Sequence, residues 1–251
     1  MNQFIFIFLL ITLSASFIRP ENKNSEKDRF VIWNIGQGQW TTLITKKYCD
    51  HFDIGGEFDL SKKVIHICEG RAHRIHISHW DWDHMGLIQK LLQRKISPCL
   101  WNIPLGQAST RKKTLLANIP LCEHSDEAAY HLIFLGDSSR KASSNDSSQV
   151  VETQGILIPG DSTKKEEKKW SSQTENQAKL SQIKGLILGH HGSHGSTSQI
   201  LVSHLKNLRW AIATARKKRY GHPHPEVLTR LKKNKTPVLL TEDWGSIIFE
   251  L

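Results

Sequence analysis

Between Ser78 and Gly86 the chain reads SHWDWDHMG, which sets His79, Asp81, Asp83 and His84 within six residues, directly behind a strand-like run, Arg74-Ile75-His76-Ile77. Side chains able to ligate a metal, crowded at the end of a strand, restrict the fold. Other strand ends must reach the same loop to complete the coordination. Alternation along an extended segment puts His79, Asp81 and Asp83 on one side and turns His84 away, so the segment predicts service to two neighbouring ions. Any one of these residues alone reads as a solvated polar loop; four together do not.

Further candidate ligands recur where apolar runs end. Asp161 closes Gly155-Ile156-Leu157-Ile158-Pro159-Gly160, His190 and His191 follow Leu186-Ile187-Leu188-Gly189, and His222 comes after Trp210-Ala211-Ile212-Ala213-Thr214. Strand-like segments are expected at 30–35, 41–45, 49–54 and 74–78, then at 99–103, 130–135, 150–153, 155–158, 185–188, 209–213, 238–241 and 247–251. Helical spacing starts after Gly86, with Leu87, Ile88, Leu91 and Leu92, and returns at 178–183, 196–208 and 225–232. This order predicts an α/β chain of two sheets between helices, an αββα sandwich. The serine-rich 137–148 and the mixed-charge 162–176 read as exposed loops or a solvated helix start.

These motifs resemble the metallo-β-lactamase fold family, whose hallmark is HxHxDH followed by a later bridging Asp and a last His. More narrowly, the chain resembles the hydrolase domain at the C-terminus of the competence DNA-uptake protein ComEC. Asn34-Ile35-Gly36-Gln37-Gly38-Gln39 stands where that family has DVGQGD, and Asp53-Ile54-Gly55-Gly56 where it has DxGG. Asp81 replaces the second His; Gly160-Asp161, His190-His191-Gly192-Ser193 and Tyr220-Gly221-His222-Pro223 then follow in the family's order. The resemblance spans roughly residues 29–251.

The resemblance implies two divalent ions, zinc or manganese. It places His79 and Asp81 on one metal, Asp83, His84 and His222 on the other, Asp161 between them and Asp53 behind the ligands. His190 and His191 either complete the first metal or protonate the leaving oxygen; with Asp83 they are the expected catalytic residues. Asp81 makes the first site richer in oxygen, which favours manganese without excluding zinc. Asn34 and Gln39 put amides where the family has carboxylates. The family's central histidine has no counterpart, since His131 lies inside the strand-like run Tyr130 to Leu135, so one metal is expected to have fewer protein ligands. His194, His204 and His224 are read as bystanders.

A net charge of +10 points to a polyanionic substrate, DNA first. Arg216, Lys217, Lys218 and Arg219, directly before Tyr220-Gly221-His222-Pro223, are the expected phosphate contacts, with Lys232, Lys233 and Lys235 nearby. Trp80 and Trp82 read as exposed rings able to stack on bases, or as core. The function expected is an exported two-metal phosphodiesterase or nuclease. The alternatives are hydrolysis of another ester or amide, such as a cell-wall phosphodiester or a β-lactam, and a non-catalytic polyanion-binding module. No protein partner is inferred.

The apolar stretch 4–18 is too short to span a bilayer comfortably and ends near Ser14-Ala15-Ser16, so residues 1–18 read as a signal peptide and the protein as periplasmic or extracellular. An N-terminal anchor with peripheral membrane association is the other reading. Residues 19–28 are a linker and 29–251 one hydrolase domain. Cys49, Cys68, Cys99 and Cys122 match no CxxC pattern; their three pairings stay open, and Cys49 and Cys68 read equally as free core thiols.

Overall fold

The computed structural model describes residues 27–123 and 129–251. The expected leader and most of its linker lie outside the described residues. The first half runs β1 (Arg29–Ile32), β2 (Thr41–Ile44), β3 (Tyr48–Phe52), α1 (Ser61–Ile67), β4 (Ala72–His76), α2 (Trp82–Met85), α3 (Ile88–Leu92), β5 (Cys99–Leu100) and α4 (Thr110–Ala117). The second runs β6 (His131–Phe134), β7 (Val150–Thr153), β8 (Ile156–Ile158), α5 (Lys164–Ser171), α6 (Thr174–Gln182), β9 (Gly185–Ile187) and α7 (Gln199–His204). It closes with β10 (Trp210–Ala213), α8 (Lys217–Tyr220), α9 (Pro225–Lys233), β11 (Val238–Leu240), α10 (Thr241–Trp244) and β12 (Ile247–Glu250).

The strands form two six-stranded mixed sheets, ordered β12-β1-β2-β3-β4-β5 and β11-β10-β9-β8-β7-β6. Side-chain alternation explains how each sheet is covered on both faces. Phe30 and Ile32 of β1, with Leu43 and Phe52, meet Val151, Ile156, Ile158, Ile187 and Ile212 in the layer between the sheets. Val31, between them in sequence, points to the other side and packs with Val64, Ile75, Ile88, Leu91 and Leu116 under the helices. Trp170, Leu180, Leu201, Val227 and Leu231 cover the outer face of the second sheet. The result is the expected αββα layering.

Strands β3, β4 and β5 are mutually parallel, as are β8, β9, β10 and β11. Loops leaving the C-terminal ends of such strands gather at one edge, where α/β sheets place their ligands. The loops after β3, β4, β8, β9 and β10 carry Asp53, His79 to Asp83, Asp161, His190 with His191, and Arg216 to His222 respectively.

Three features differ from the sequence reading or settle what it left open. Residues 82–85 are a helical turn, so the segment is not extended throughout. The mixed-charge stretch contains α5, with Glu166, Glu167 and Trp170 buried. Glu167 is inside because its carboxylate accepts the backbone N–H groups of Thr197 and Ser198, each at 2.6 Å. Two disulfides form, Cys49–Cys68 tying β3 to the end of α1 and Cys99–Cys122 anchoring β5. Closing loops of 19 and 23 residues, each stabilises by about 3 kcal/mol through the unfolded chain. Among the described residues no helix is long and apolar enough to cross a membrane.

Candidate metal centre

The turn that carries Asp83 and His84 is held by backbone from two other loops. Gln39 N donates to Asp83 O at 2.9 Å and Ile54 N to His84 O at 2.7 Å. Gly55 lies so close that an added Cβ would collide with the Asp83 carbonyl and the His84 nitrogen. These contacts explain the glycine-rich segments NIGQGQ and DIGG: they clamp the ligand turn. Asp81 occupies the N-cap position of α2 without capping it, leaving its carboxylate directed at His79 Nε2, 3.5 Å away.

Asp161 sits between two groups of side chains. Its Oδ1 is 3.0 Å from His84 Nε2 and 4.0 Å from His191 Nε2; its Oδ2 is 3.5 Å from His190 Nε2 and 3.9 Å from His79 Nε2. His191 Nε2 also lies 3.2 Å from Asp83 Oδ2. Asp83, His84, Asp161 and His191 can thus direct their ligand atoms at one point, while His79 and His190 flank the other carboxylate oxygen and Asp81 contacts His79.

His79 Nε2, His84 Nε2 and Asp161 Oδ1 are buried and make no well-directed hydrogen bond among the described residues, although His84 Nε2 and Asp161 Oδ1 face each other at 3.0 Å. Buried polar atoms left so are costly, about 1–3 kcal/mol each. Convergent, unsatisfied imidazole and carboxylate atoms fit divalent ions.

Each imidazole is addressed from behind. His84 Nδ1 meets Asp53 Oδ2 at 2.7 Å, His79 Nδ1 meets Ser78 and Ser148 Oγ at 2.9 and 3.3 Å, and His191 Nδ1 meets Thr214 Oγ1 at 3.3 Å. Asn145 faces His190 Nδ1 at 3.3 Å and Gln37 faces His222 Nδ1 at 3.4 Å. Such partners fix ring orientation and present Nε2 to the centre. His190 and His191 both adopt left-handed backbone, φ 48° and 56°, an arrangement costing about 1 kcal/mol or more per residue. His190 N donates to Gly160 O at 3.0 Å, joining this strained turn to the Asp161 loop. Gly160, itself at φ +53°, leaves room there for Ser148 and Ser78.

Charge follows the geometry. Burial opposes ionisation of Asp161, yet the neighbouring His84 and His191 hold its carboxyl well below the usual range. Burial likewise opposes the charged form of Asp83, which contact with His191 and the charge of His84 outweigh. Burial would lower His84, but Asp161 and Asp53 raise it well above its ordinary value. The His79 contact lowers Asp81, and burial lowers His190 and His222.

Asp83, His84 and His191 come together with Asp161 Oδ1; His79 and His190 lie on the Oδ2 side, with Asp81 reaching His79. His222, expected beside Asp83 and His84, does not join that group: its ring centroid lies 6.1 Å from that of His190, and His191 takes the place instead. The Gln37 amide accounts for this, because its Oε1 accepts Arg216 N–H at 3.2 Å and its Nε2 is left facing His222 Nδ1. Trp80 is core, whereas Trp82 is exposed. In the basic cluster Glu57 pairs with Arg216 at 3.1 Å and Arg219 at 2.7 Å, and accepts from Tyr220 at 2.9 Å. His131 is exposed on β6, away from these ligands. The sequence reading did not single out Ser78, Ser148, Asn145, Thr214 or Glu57; as ordinary polar residues in loops, their type and spacing carry no signal.

No family model matches the chain. Over 191 residues, 68% of the chain, it is 31% identical to ComE operon protein 3 of Bacillus subtilis (strain 168). That match covers 24% of the relative, so the chain spans about a quarter of its length. The metallo-beta-lactamase fold protein YhfI from Bacillus subtilis superposes with TM-score 0.52 at 12% identity, covering 90% of this chain and 100% of that one. Igni18, a metallo hydrolase from the archaeon Ignicoccus hospitalis KIN4/I, gives TM-score 0.52 at 11% identity over 89% of this chain and 99% of its own.

Proposed function

This chain has the metallo-β-lactamase fold, and from that premise we propose that it is an exported, metal-dependent phosphodiesterase that cleaves DNA. The observation that carries the reading is Asp161, with one carboxylate oxygen toward His84 and His191 and the other toward His79 and His190. That arrangement supports two ions, one held by His79, Asp81, His190 and Asp161, the other by Asp83, His84, His191 and Asp161. Zinc or manganese bound there would supply Lewis acidity, activating water and neutralising charge on phosphate oxygens.

The protein's own groups supply the rest. Asp53, Ser78, Ser148 and Thr214 keep the ligand rings oriented. With Gln37 Nε2 facing its Nδ1 at 3.4 Å, His222 would turn an Nε2 hydrogen-bond donor toward a phosphate oxygen. Lys217 and Lys218, beside Glu57-bound Arg216 and Arg219, favour a phosphodiester over a neutral lactam. The resemblance to the ComEC hydrolase domain favours DNA within that class. The apolar stretch 4–18 supports export, with a mature chain beginning near residue 17; an intact Met1 in a cytosolic fraction would contradict it.

The test is turnover by metal-free protein given Mn²⁺ or Zn²⁺ separately, on single- and double-stranded DNA, bis(p-nitrophenyl) phosphate and a chromogenic lactam. DNA and the small diester should be cleaved and the lactam spared. Lactam cleavage alone would replace the substrate, and no turnover of any compound would leave a binding module.

A further inference from the structure

Helix α4 places two cations against the turn that bears Asp83 and His84. The Arg111 guanidinium lies 5.0 Å and the Lys112 ammonium 5.5 Å from the Trp82 ring centroid. Lys112 Nζ is 3.7 Å from Asp81 Oδ1, and its side chain is only 16% exposed. Trp82, immediately before Asp83, keeps 41% of its surface in solvent.

We infer that Trp82, Arg111 and Lys112 form a nucleotide subsite at the lip of the centre, binding an unpaired base and its phosphate beside the scissile bond; this rests on the phosphodiesterase reading. Simple surface packing would leave a lysine extended into water. Lys112 is instead largely withdrawn, and Asp81 is its one ion-pair partner among the described residues. A divalent ion held by Asp81 would share that carboxylate's charge, leaving the ammonium to be balanced by an anion arriving from solvent. A phosphate supplies that anion. The exposed indole gives its base a stacking surface, and because every base has a π-face the subsite accepts any sequence. Stacking needs a base free of its duplex, which selects single strands.

The test is fluorescence anisotropy of a labelled oligothymidine strand with a cleavage-resistant phosphorothioate backbone and the metal-loaded full chain, so that binding is read without turnover. Trp82→Ala should weaken binding about tenfold and Trp82→Phe should recover most of it. On an abasic strand, Trp82→Ala and the parent should bind alike. Arg111→Gln with Lys112→Gln should lower the slope of log affinity against log salt by about 0.7 for each phosphate no longer neutralised. Lys46→Gln with Lys47→Gln, the same charge change on the β2–β3 turn, should leave the slope as it is. Urea melts confirm that each variant is folded. Unchanged affinity and slope in the Trp82 and Arg111/Lys112 variants would overturn the subsite, as would an equal slope change in the Lys46/Lys47 control. Hydrolysis of bis(p-nitrophenyl) phosphate by the metal-loaded parent reports separately on the reaction, so binding without hydrolysis would refute the phosphodiesterase while leaving the subsite standing.

Discussion

Asp53 Oδ2 lies 2.7 Å from His84 Nδ1, both side chains being buried. The same carboxylate accepts from Gln39 Nε2 and Ser78 Oγ, each at 2.8 Å, and from Ser78 N at 2.7 Å. Thus engaged, it orients His84 and has no role as a ligand itself. Asp53→Asn should therefore weaken metal binding 10–100-fold, roughly the effect of losing such a partner elsewhere. Competition against a chromophoric chelator measures it, and a change smaller than about threefold would mean that packing alone positions the ring.

Metal content follows from Asp161. The parent protein should bind two divalent ions and Asp161→Ala at most one, because that variant removes an oxygen from both groups. Elemental analysis after gel filtration counts them. Full retention in the variant would remove the basis for a shared carboxylate.

Gly55→Ala should be among the more damaging small substitutions in the chain. Its methyl group would have to displace the Asp83–His84 backbone, an overpacking cost of about 3 kcal/mol, and the ligand turn would shift. Urea midpoints and metal affinity should fall together. A variant of unchanged stability and affinity would show that the clamp yields without consequence.

The positions of the centre's residues were readable because each candidate ligand follows an apolar run, and parallel strands bring such loops to one edge. What escaped was decided by tertiary contacts. DWDH is too short to display a helical period, and Gln39 N and Ile54 N hold it as a turn from outside. Nothing local marks His191 rather than His222 as the neighbour of Asp83, since that depends on two consecutive left-handed residues. Glu167 reads as surface charge in KKEEKK; only the backbone of Thr197 and Ser198 brings it inside. The cysteine pairing required knowing that α1 packs on β3.

Acid should destabilise the metal-free protein well above the ordinary carboxylate range. Burial lowers His73 and His76 to about 4, and lowers His51, whose Nε2 is 2.9 Å from His73 Nδ1, well below its usual value. Between about pH 6.5 and 4 the unfolded chain binds protons that the native state refuses, so stability falls as pH falls, by ~1.4 kcal/mol per pH unit for each group. His84, raised by its carboxylates, acts oppositely, stabilising below its unfolded value and losing that contribution as pH rises. Well below pH 6.5 it is protonated in both states. Urea unfolding in chelator at pH 6, 5.5 and 5 should show the decline, and His76→Gln should reduce its slope by about 1.4 kcal/mol per unit; an unaltered slope would mean that His76 protonates freely in the native state.

The basic cluster should divide into two functions. Arg216 and Arg219 share Glu57, and the Arg216 backbone N–H holds the Gln37 amide that faces His222. The Lys217 and Lys218 side chains have no ion-pair partner among the described residues, so they offer more charge to a polyanion. Lys217→Gln with Lys218→Gln should therefore lower the salt slope of duplex DNA binding by about 0.9 for each phosphate no longer neutralised. Arg216→Gln with Arg219→Gln removes the same formal charge but should change the slope less, since Glu57 already neutralises part of it. That pair should instead alter the pH profile of turnover, because Glu57, which accepts the Gln37 backbone N–H at 3.1 Å, would lose the two guanidiniums that position it and loosen the loop that sets Gln37 against His222. Equal slopes in the two double variants would show that Glu57 does not screen its arginines, and an unchanged pH profile in the arginine pair would separate His222 from the clasp.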